Sequence, residues 1–242
     1  SVPQLAAVWV SAERHGGASA TLIPLLILSA LRRDEAAEAE WSEIDLGARV
    51  WTIPAARMKT SRGPAKEHRV PLGEAMLDIL AAAPTGRYVV QNRRGGRVKG
   101  WSDIAERMRS KASAVAKVAG IEPLPHWTIH DLRGSVATAL ANPPLDVAQH
   151  VIDRILAHKP QDGAMARKYI RSDLFDRRAV EMKAWADLIV AEVDRVRALA
   201  GPVAVRPDVA AAAADLTLSA SEAARRIGVT EAAIRKARKR LS

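Results

Sequence analysis

The chain contains no cysteine, which excludes disulfides and thiolate metal sites and fits a cytoplasmic protein. Aromatics are scarce, with one Phe and two Tyr in 242 residues, so the core must be built mainly from Leu, Ile, Val and Ala. No apolar run approaches the roughly 20 residues that a membrane-spanning helix requires. The most apolar stretch, residues 22–31, has only the length of a buried helix. Residues 1–18 lack the basic start and apolar centre of a signal peptide. Acidic charge is also in deficit: 27 Asp and Glu face 37 Lys and Arg, for a formal charge of +10. The sequence pI is about 10.4. Such a balance favours a polyanionic partner, nucleic acid or an anionic membrane surface. What is present is an ordinary globular composition, rich in alanine and poor in strand formers, which tips the class toward helix.

The pattern along the chain is mainly α with a small antiparallel β-sheet. Residues 18–40 read as one helix, with Leu22, Leu25, Leu26, Ile27 and Leu31 at helical spacing and Pro24 tolerated near its start. Residues 41–54 read as strand, turn and strand, 61–66 as a loop, and 68–72 as a third strand. Helices are then expected at 73–83, 101–119, 130–141, 145–157, 164–169 and 173–199, punctuated by Pro123, Pro125, Pro143 and Pro144. The expected division is a catalytic-size domain at 1–200, a Pro/Ala-rich linker at 201–215, and a small basic helical unit at 216–242.

Several short patterns carry chemical potential. In "TIHDLR", His130 and Arg133 lie three apart on one helix face, where an imidazole and a planar guanidinium fork suit a phosphate oxygen substrate. Taken alone, a capped helix start with an incidental basic face is the commoner meaning. Arg32 follows the apolar helix, with Glu35 placed to hold it at i, i+3; a solvated ion pair is the bland alternative. Lys59 and Arg62 sit where the second strand leaves the sheet, a position from which a basic side chain can reach DNA, although taken alone a solvated turn is the commoner meaning. His158 ends one helix, and Tyr169 follows after a polar connection; most tyrosines are simply packed aromatics. His126 and His130 imitate a metal-binding pair, but Pro125 and the strand-like 127–129 argue against a shared helix, and no carboxylate follows. His15, His68 and His150 read as structural or surface residues.

The order of Arg32, Lys59, His130, Arg133, His158 and Tyr169 resembles the active-site signature of tyrosine recombinases, the lambda-type phage integrases, and their prophage-type branch in particular. The strings "LSALRRDEAAEAEWSEID", "WTIPAARMKTSR", "EHRVPL", "HDLRGSVATAL", "ILAH" and "YIRSDLFDRRAVEMKAWADLI" carry the likeness, over roughly residues 5 to 195. Three departures stand out: Ala30 where the family usually has Gly, Gly134-Ser135 where it has Arg-Thr, and Ala157 where it has Gly. The family also carries an N-terminal helical domain that clamps the far side of the DNA. The resemblance therefore leads to the expectation that such a domain was separated from this chain or lost.

The resemblance implies the tyrosine recombinase catalytic fold and DNA strand cleavage and rejoining through a 3′-phosphotyrosine, for integration or excision of a prophage or other mobile element. In that scheme Tyr169 is the nucleophile, His130 its base, Arg32 and Arg133 the ligands of the non-bridging oxygens, Lys59 the acid for the departing 5′-oxygen, and His158 a further donor. No metal and no nucleotide cofactor are expected, because the guanidiniums supply the charge and the phosphotyrosine conserves the bond energy. Expected partners are double-stranded DNA, further copies of the chain in a tetramer on DNA, and an accessory DNA-bending protein, with no membrane. The setting is then the bacterial cytoplasm, at the nucleoid when bound. A type IB topoisomerase and a non-catalytic DNA-binding remnant remain as alternatives.

The tail "SEAARRIGVTEAAIRKARKRL" has helix–turn–helix spacing, with Ala224 at the small-residue position, Gly228 at the turn, and Ile227, Val229 and Ile234 facing inward. Residues 216–242 hold seven basic and two acidic side chains, a net of +5. Arg225, Arg226, Arg235, Lys236, Arg238 and Lys239 are its candidate DNA contacts; a solvated amphipathic helix pair is the alternative.

Overall fold

The computed structural model describes residues 1–59, 66–158, 173–201, 214, 218–226, 234, 235 and 238, with only the backbone described at 224–226. Two compact units are present, Ser1–Ala200 and Gly201–Ser242. The first begins with α1 (Val2–His15), a helix that the sequence pattern did not reveal. Every residue from Leu5 to Ala12 in it is buried. Gly16 and Gly17, both at positive φ, turn the chain into α2 (Ala18–Ser29).

Helix α2 is apolar all round, and its buried Leu22, Ile23, Leu25, Ile27 and Leu28 form the middle of the core. Each such side chain contributes about 1.5–3 kcal/mol of burial. Pro24 stands inside α2 and not in its first turn. The single helix expected over 18–40 is two, because Ala30 adopts a left-handed conformation (φ 55°, ψ 24°) and Arg32 an extended one before α3 (Arg33–Ala37). A turn then leads into β1 (Ile44–Asp45), β2 (Val50–Ile53) and β3 (His68–Pro71). These form one antiparallel sheet of order β1-β2-β3, in which Ile44 pairs with Trp51 and Ile53 with His68. The first strand expected over 41–54 is thus reduced to two residues.

Next come α4 (Glu74–Ala81), α5 (Trp101–Val118), α6 (Ile129–Ala141), α7 (Gln149–Ile155) and α8 (Phe175–Ala200). The helix expected over 145–157 is shortened to α7: Asp146 at positive φ keeps the entry irregular, and Ala157 at φ 49° lies beyond its end. The helix expected over 164–169 falls outside the described residues. Helix α1 packs on α2, α5 and α8, while α2 also meets α4 and α6. The fully buried Trp185 of α8 donates from its indole Nε1 to the Ile27 carbonyl at 2.8 Å, fixing α8 to the end of α2. No helix among the described residues is long and apolar enough to cross a membrane.

In the second unit, α9 (Ala220–Arg226) opens with a reciprocal cap. The Ser219 amide donates to the Glu222 carboxylate at 2.9 Å, and the Glu222 amide donates to the Ser219 hydroxyl at 3.2 Å. Ala223 and Ile234 are fully buried.

Candidate active site

Arg32 stands at the break between α2 and α3, and the local sequence dictates how it is held. Helix α2 stops at Ala30, and Arg32 becomes the residue that precedes the first turn of α3. Glu35 reaches back from that turn. Its carboxylate accepts from the Arg32 amide at 2.9 Å and from Arg32 Nη1 at 2.7 Å. The i, i+3 pairing expected from sequence is present, and Glu35 is buried. One carboxylate therefore caps a helix and orients a guanidinium. Arg57 adds to the frame: its Nη2 donates to the Glu35 carbonyl at 2.8 Å, while Glu43 neutralises its charge at 2.7 Å.

Arg133, in the second turn of α6, is buried at 6% exposure. Its Nη1 donates to the Ala30 carbonyl at 2.5 Å, and its Nη2 donates to the Leu156 carbonyl. These carbonyls terminate α2 and α7, so the cation sits against the negative ends of two helices. Burial first, and then the neighbouring Arg32 charge, push the Arg133 pKa down to about 10, with Glu35 opposing. It remains a cation at neutral pH. Among the described residues the Glu35 carboxylate is bonded to Arg32 alone, and Arg133 feels its charge without touching it.

His158 follows α7 and is about half-exposed. Its amide donates to the Asp153 carbonyl at 2.8 Å, and its Nδ1 lies 4.0 Å from the Asp153 carboxylate. Partial burial, Arg133 and Arg32 hold its pKa below the ordinary histidine value, against the pull of Asp153 and Glu35. The ring is therefore neutral at pH 7. His130 lies in the first turn of α6, exposed, one residue after Ile129 opens the helix. The turn is held by Asp131, whose carboxylate accepts from the Thr128 amide at 2.7 Å and from its hydroxyl at 2.9 Å.

A cleft of about 800 Å³ brings Arg32, Lys59 and His130 together, with Arg33, Arg109 and His126 also on its wall. His126 precedes α6 and is not on a helix shared with His130. Five of the six residues picked from sequence thus converge: Arg32 links the cleft pair, Lys59 and His130, to the electrostatic neighbours Arg133 and His158. The sixth, Tyr169, lies outside the described residues, as do Arg62, Lys236 and Lys239. Arg225 and Arg226 belong to α9, Arg235 is exposed, and Arg238 donates to the Leu218 carbonyl at 2.7 Å.

His68, read from sequence as structural or surface, proves to be a buried neighbour of the site. It faces inward from β3, and burial together with Arg178 and Arg133 lowers its pKa to about 4, against Glu35 and a hydrogen bond to the Ile155 backbone. The alternation of His68, Val70 and Leu72, all buried, was the available signal. Arg109 and His126 had no such signal, because their place on the cleft depends on how α5 and α6 pack.

Two guanidiniums around one carboxylate, with a neutral imidazole beside them and a lysine and a second histidine across a cleft, suit a tetrahedral anion. The Arg32 guanidinium on the cleft wall can meet its non-bridging oxygens with the Arg133 charge close by, and the flanking groups can move protons on either side.

The sequence model of the Phage integrase family matches residues 4–174. Prophage integrase IntA of Escherichia coli (strain K12) is 34% identical over 171 residues, covering 68% of this chain and 37% of IntA. Prophage integrase IntF of the same strain is 26% identical over 165 residues, covering 67% of this chain and 33% of IntF. The chain spans about a third of the length of these curated relatives. The crystal structure of XerA recombinase superposes with a TM-score of 0.49 at 18% identity, covering 78% of this chain and 62% of that one.

Proposed function

The chain belongs to the phage integrase family, and from that premise we propose that it is a site-specific DNA recombinase working through a phosphotyrosine intermediate. The observation that carries this reading is the charge balance at the site. Arg32 is ion-paired to Glu35, whereas the buried Arg133 is bonded only to the main-chain carbonyls of Ala30 and Leu156, so its charge has no carboxylate in contact among the described residues and a backbone phosphate can supply the counter-charge.

Tyr169 attacks phosphorus, and the bond to the 5′-oxygen of the next nucleotide breaks. A phenol near pKa ~10 needs a base, and the exposed His130 in the cleft takes its proton. Charge grows on the non-bridging oxygens as phosphorus becomes five-coordinate, and Arg32 and Arg133 meet it there. Lys59, on the same cleft wall, gives a proton to the departing oxygen. His158 donates a further hydrogen bond. A phosphate arriving between the arginines offsets the charges that depress its pKa, so binding itself favours the protonated ring. Resealing runs the same steps backward with a 5′-hydroxyl as nucleophile.

The biological role we propose is integration or excision of a prophage or other mobile element in the bacterial cytoplasm, on double-stranded DNA, by a tetramer aided by a DNA-bending protein. The second unit acts as an additional DNA-contacting module. Its Ser219–Glu222 cap and the buried Ala223 and Ile234 support a folded unit, and its Arg235 is exposed.

The test is covalent trapping. Protein is mixed with supercoiled plasmid and nicked duplexes without metal, and adducts are mapped by peptide mass. A DNA-linked peptide containing Tyr169, absent from Tyr169→Phe, is the expected result. Relaxation without strand exchange would indicate topoisomerase activity instead. Tight binding with no adduct, even when an N-terminal clamp domain is joined to the chain, would indicate a protein that only binds.

A further inference from the structure

Beyond Tyr169 the described chain resumes at Asp173, where charge and an aromatic ring meet β3. Arg178, in the first turn of α8, is 2% exposed. Its Nε donates to the Asp173 carbonyl at 2.8 Å, its Nη2 to the Asp173 carboxylate at 3.2 Å, and its Nη1 to the Arg69 carbonyl of β3 at 2.6 Å. Asp173 also accepts from the Phe175 amide at 3.2 Å and lies 3.6 Å from Arg69 Nη1. Phe175, the only Phe of the chain, has the Arg69 guanidinium 4.3 Å and the Arg178 guanidinium 5.6 Å from its ring centre. Arg178 lies beyond residue 174, where the family match ends.

A buried guanidinium is a costly way to fill space, and it persists where bonded geometry is worth keeping. Here the bonds converge on one residue, Asp173, through both its main chain and its side chain. Four peptide units separate Asp173 from Tyr169. At 3.8 Å per unit their Cα atoms can be no more than about 15 Å apart, whereas the eleven units back to His158 allow about 40 Å. The tether to Asp173 is thus the tighter limit on the reach of Tyr169. Its anchor is β3, the strand whose His68 feels Arg178, Glu35 and Arg133 together.

We infer that Arg178 and Asp173 form a clasp that ties the Tyr169 side of the chain to β3 and so positions the nucleophile for the phosphate held by Arg32 and Arg133 of the same chain. Both are positioning residues, and their role rests on the reading of Tyr169 as nucleophile.

The experiment measures single-turnover adduct formation by the 242-residue chain on a library of nicked random-sequence duplexes, beside the DNA dissociation constant. Asp173→Ala is expected to slow adduct formation at saturating DNA at least tenfold, with the dissociation constant changed less than twofold. Asp173→Asn, which keeps one oxygen acceptor, is expected to restore most of the rate. A merely structural residue would lower active fraction and binding together. Arg178→Ala should reproduce Asp173→Ala; should it fail to fold, the half-exposed Asp173 still decides the matter. Adducts from Asp173→Ala at the wild-type rate overturn the clasp and leave the phosphotyrosine reading intact. No adduct from the wild-type chain, alone or joined to an N-terminal clamp domain, overturns both.

Discussion

Single residues at this site serve the fold and the proposed chemistry at once, and Arg133 shows how closely the two are joined. Its guanidinium ties the ends of α2 and α7 at Ala30 and Leu156, and at each junction an alanine takes a conformation that glycine accommodates better, Ala30 at φ 55° and Ala157 at φ 49°. Alanine there costs on the order of 1 kcal/mol. Removing the wholly buried Ala30 methyl forfeits about 0.8 kcal/mol of burial, so Ala30→Gly should leave stability nearly unchanged. Ala157 is partly exposed, and Ala157→Gly should gain roughly 0.5–1 kcal/mol; urea melts of the two variants test the contrast. His68 makes a pH prediction. Above pH ~6.5 its ring is neutral whether folded or unfolded, so it imposes no pH dependence. Between there and its folded pKa of about 4, the unfolded ring binds a proton that the buried one refuses, and stability falls as pH falls. The loss approaches ~2–3 kcal/mol by pH 4.5, and denaturant melts at pH 7 and 4.5 should show it shrink in His68→Gln.

At the scale of elements, what matters is how helix ends deliver side chains. The first turn of α6 presents His130, and Asp131 holds that turn through two bonds from Thr128 that also lower its own pKa. Asp131→Ala should cost about 1 kcal/mol of stability. Because the freed turn no longer fixes His130, adduct formation should fall more than DNA affinity, as kinetics and binding on the same duplex would reveal. These ends also mark where the sequence was legible. Residue types and order pointed to Arg32, Lys59, His130, Arg133 and His158, and the i, i+3 spacing already paired Arg32 with Glu35. The break after α2 was not legible, since an alanine stands where a glycine would have announced the turn. The place of Arg109 on the cleft, and of Arg178 against β3, arises from long-range packing that no local pattern records.

For the whole molecule, the division at Ala200 gives a direct experiment. Residues 201–242 hold eight basic and four acidic side chains, a net of +4 out of the +10 of the chain. A chain ending at Ala200 should keep the thermal transition of the first unit, since among the described residues the core cluster of that unit contains none beyond it. Its DNA binding should depend less steeply on salt, because fewer condensed counterions are released; titrations at several ionic strengths measure both affinity and slope. The double duty of Arg133 bears on how such genes age. A lineage that ceased to cut DNA would still need this side chain to join two helix ends, and selection for a foldable product would retain it. The exposed His130 and Lys59 have no comparable duty, so drift would erase them first. In a genome, a relative that keeps Arg133 but has lost those two is a gene whose product still folds after its reaction has gone silent.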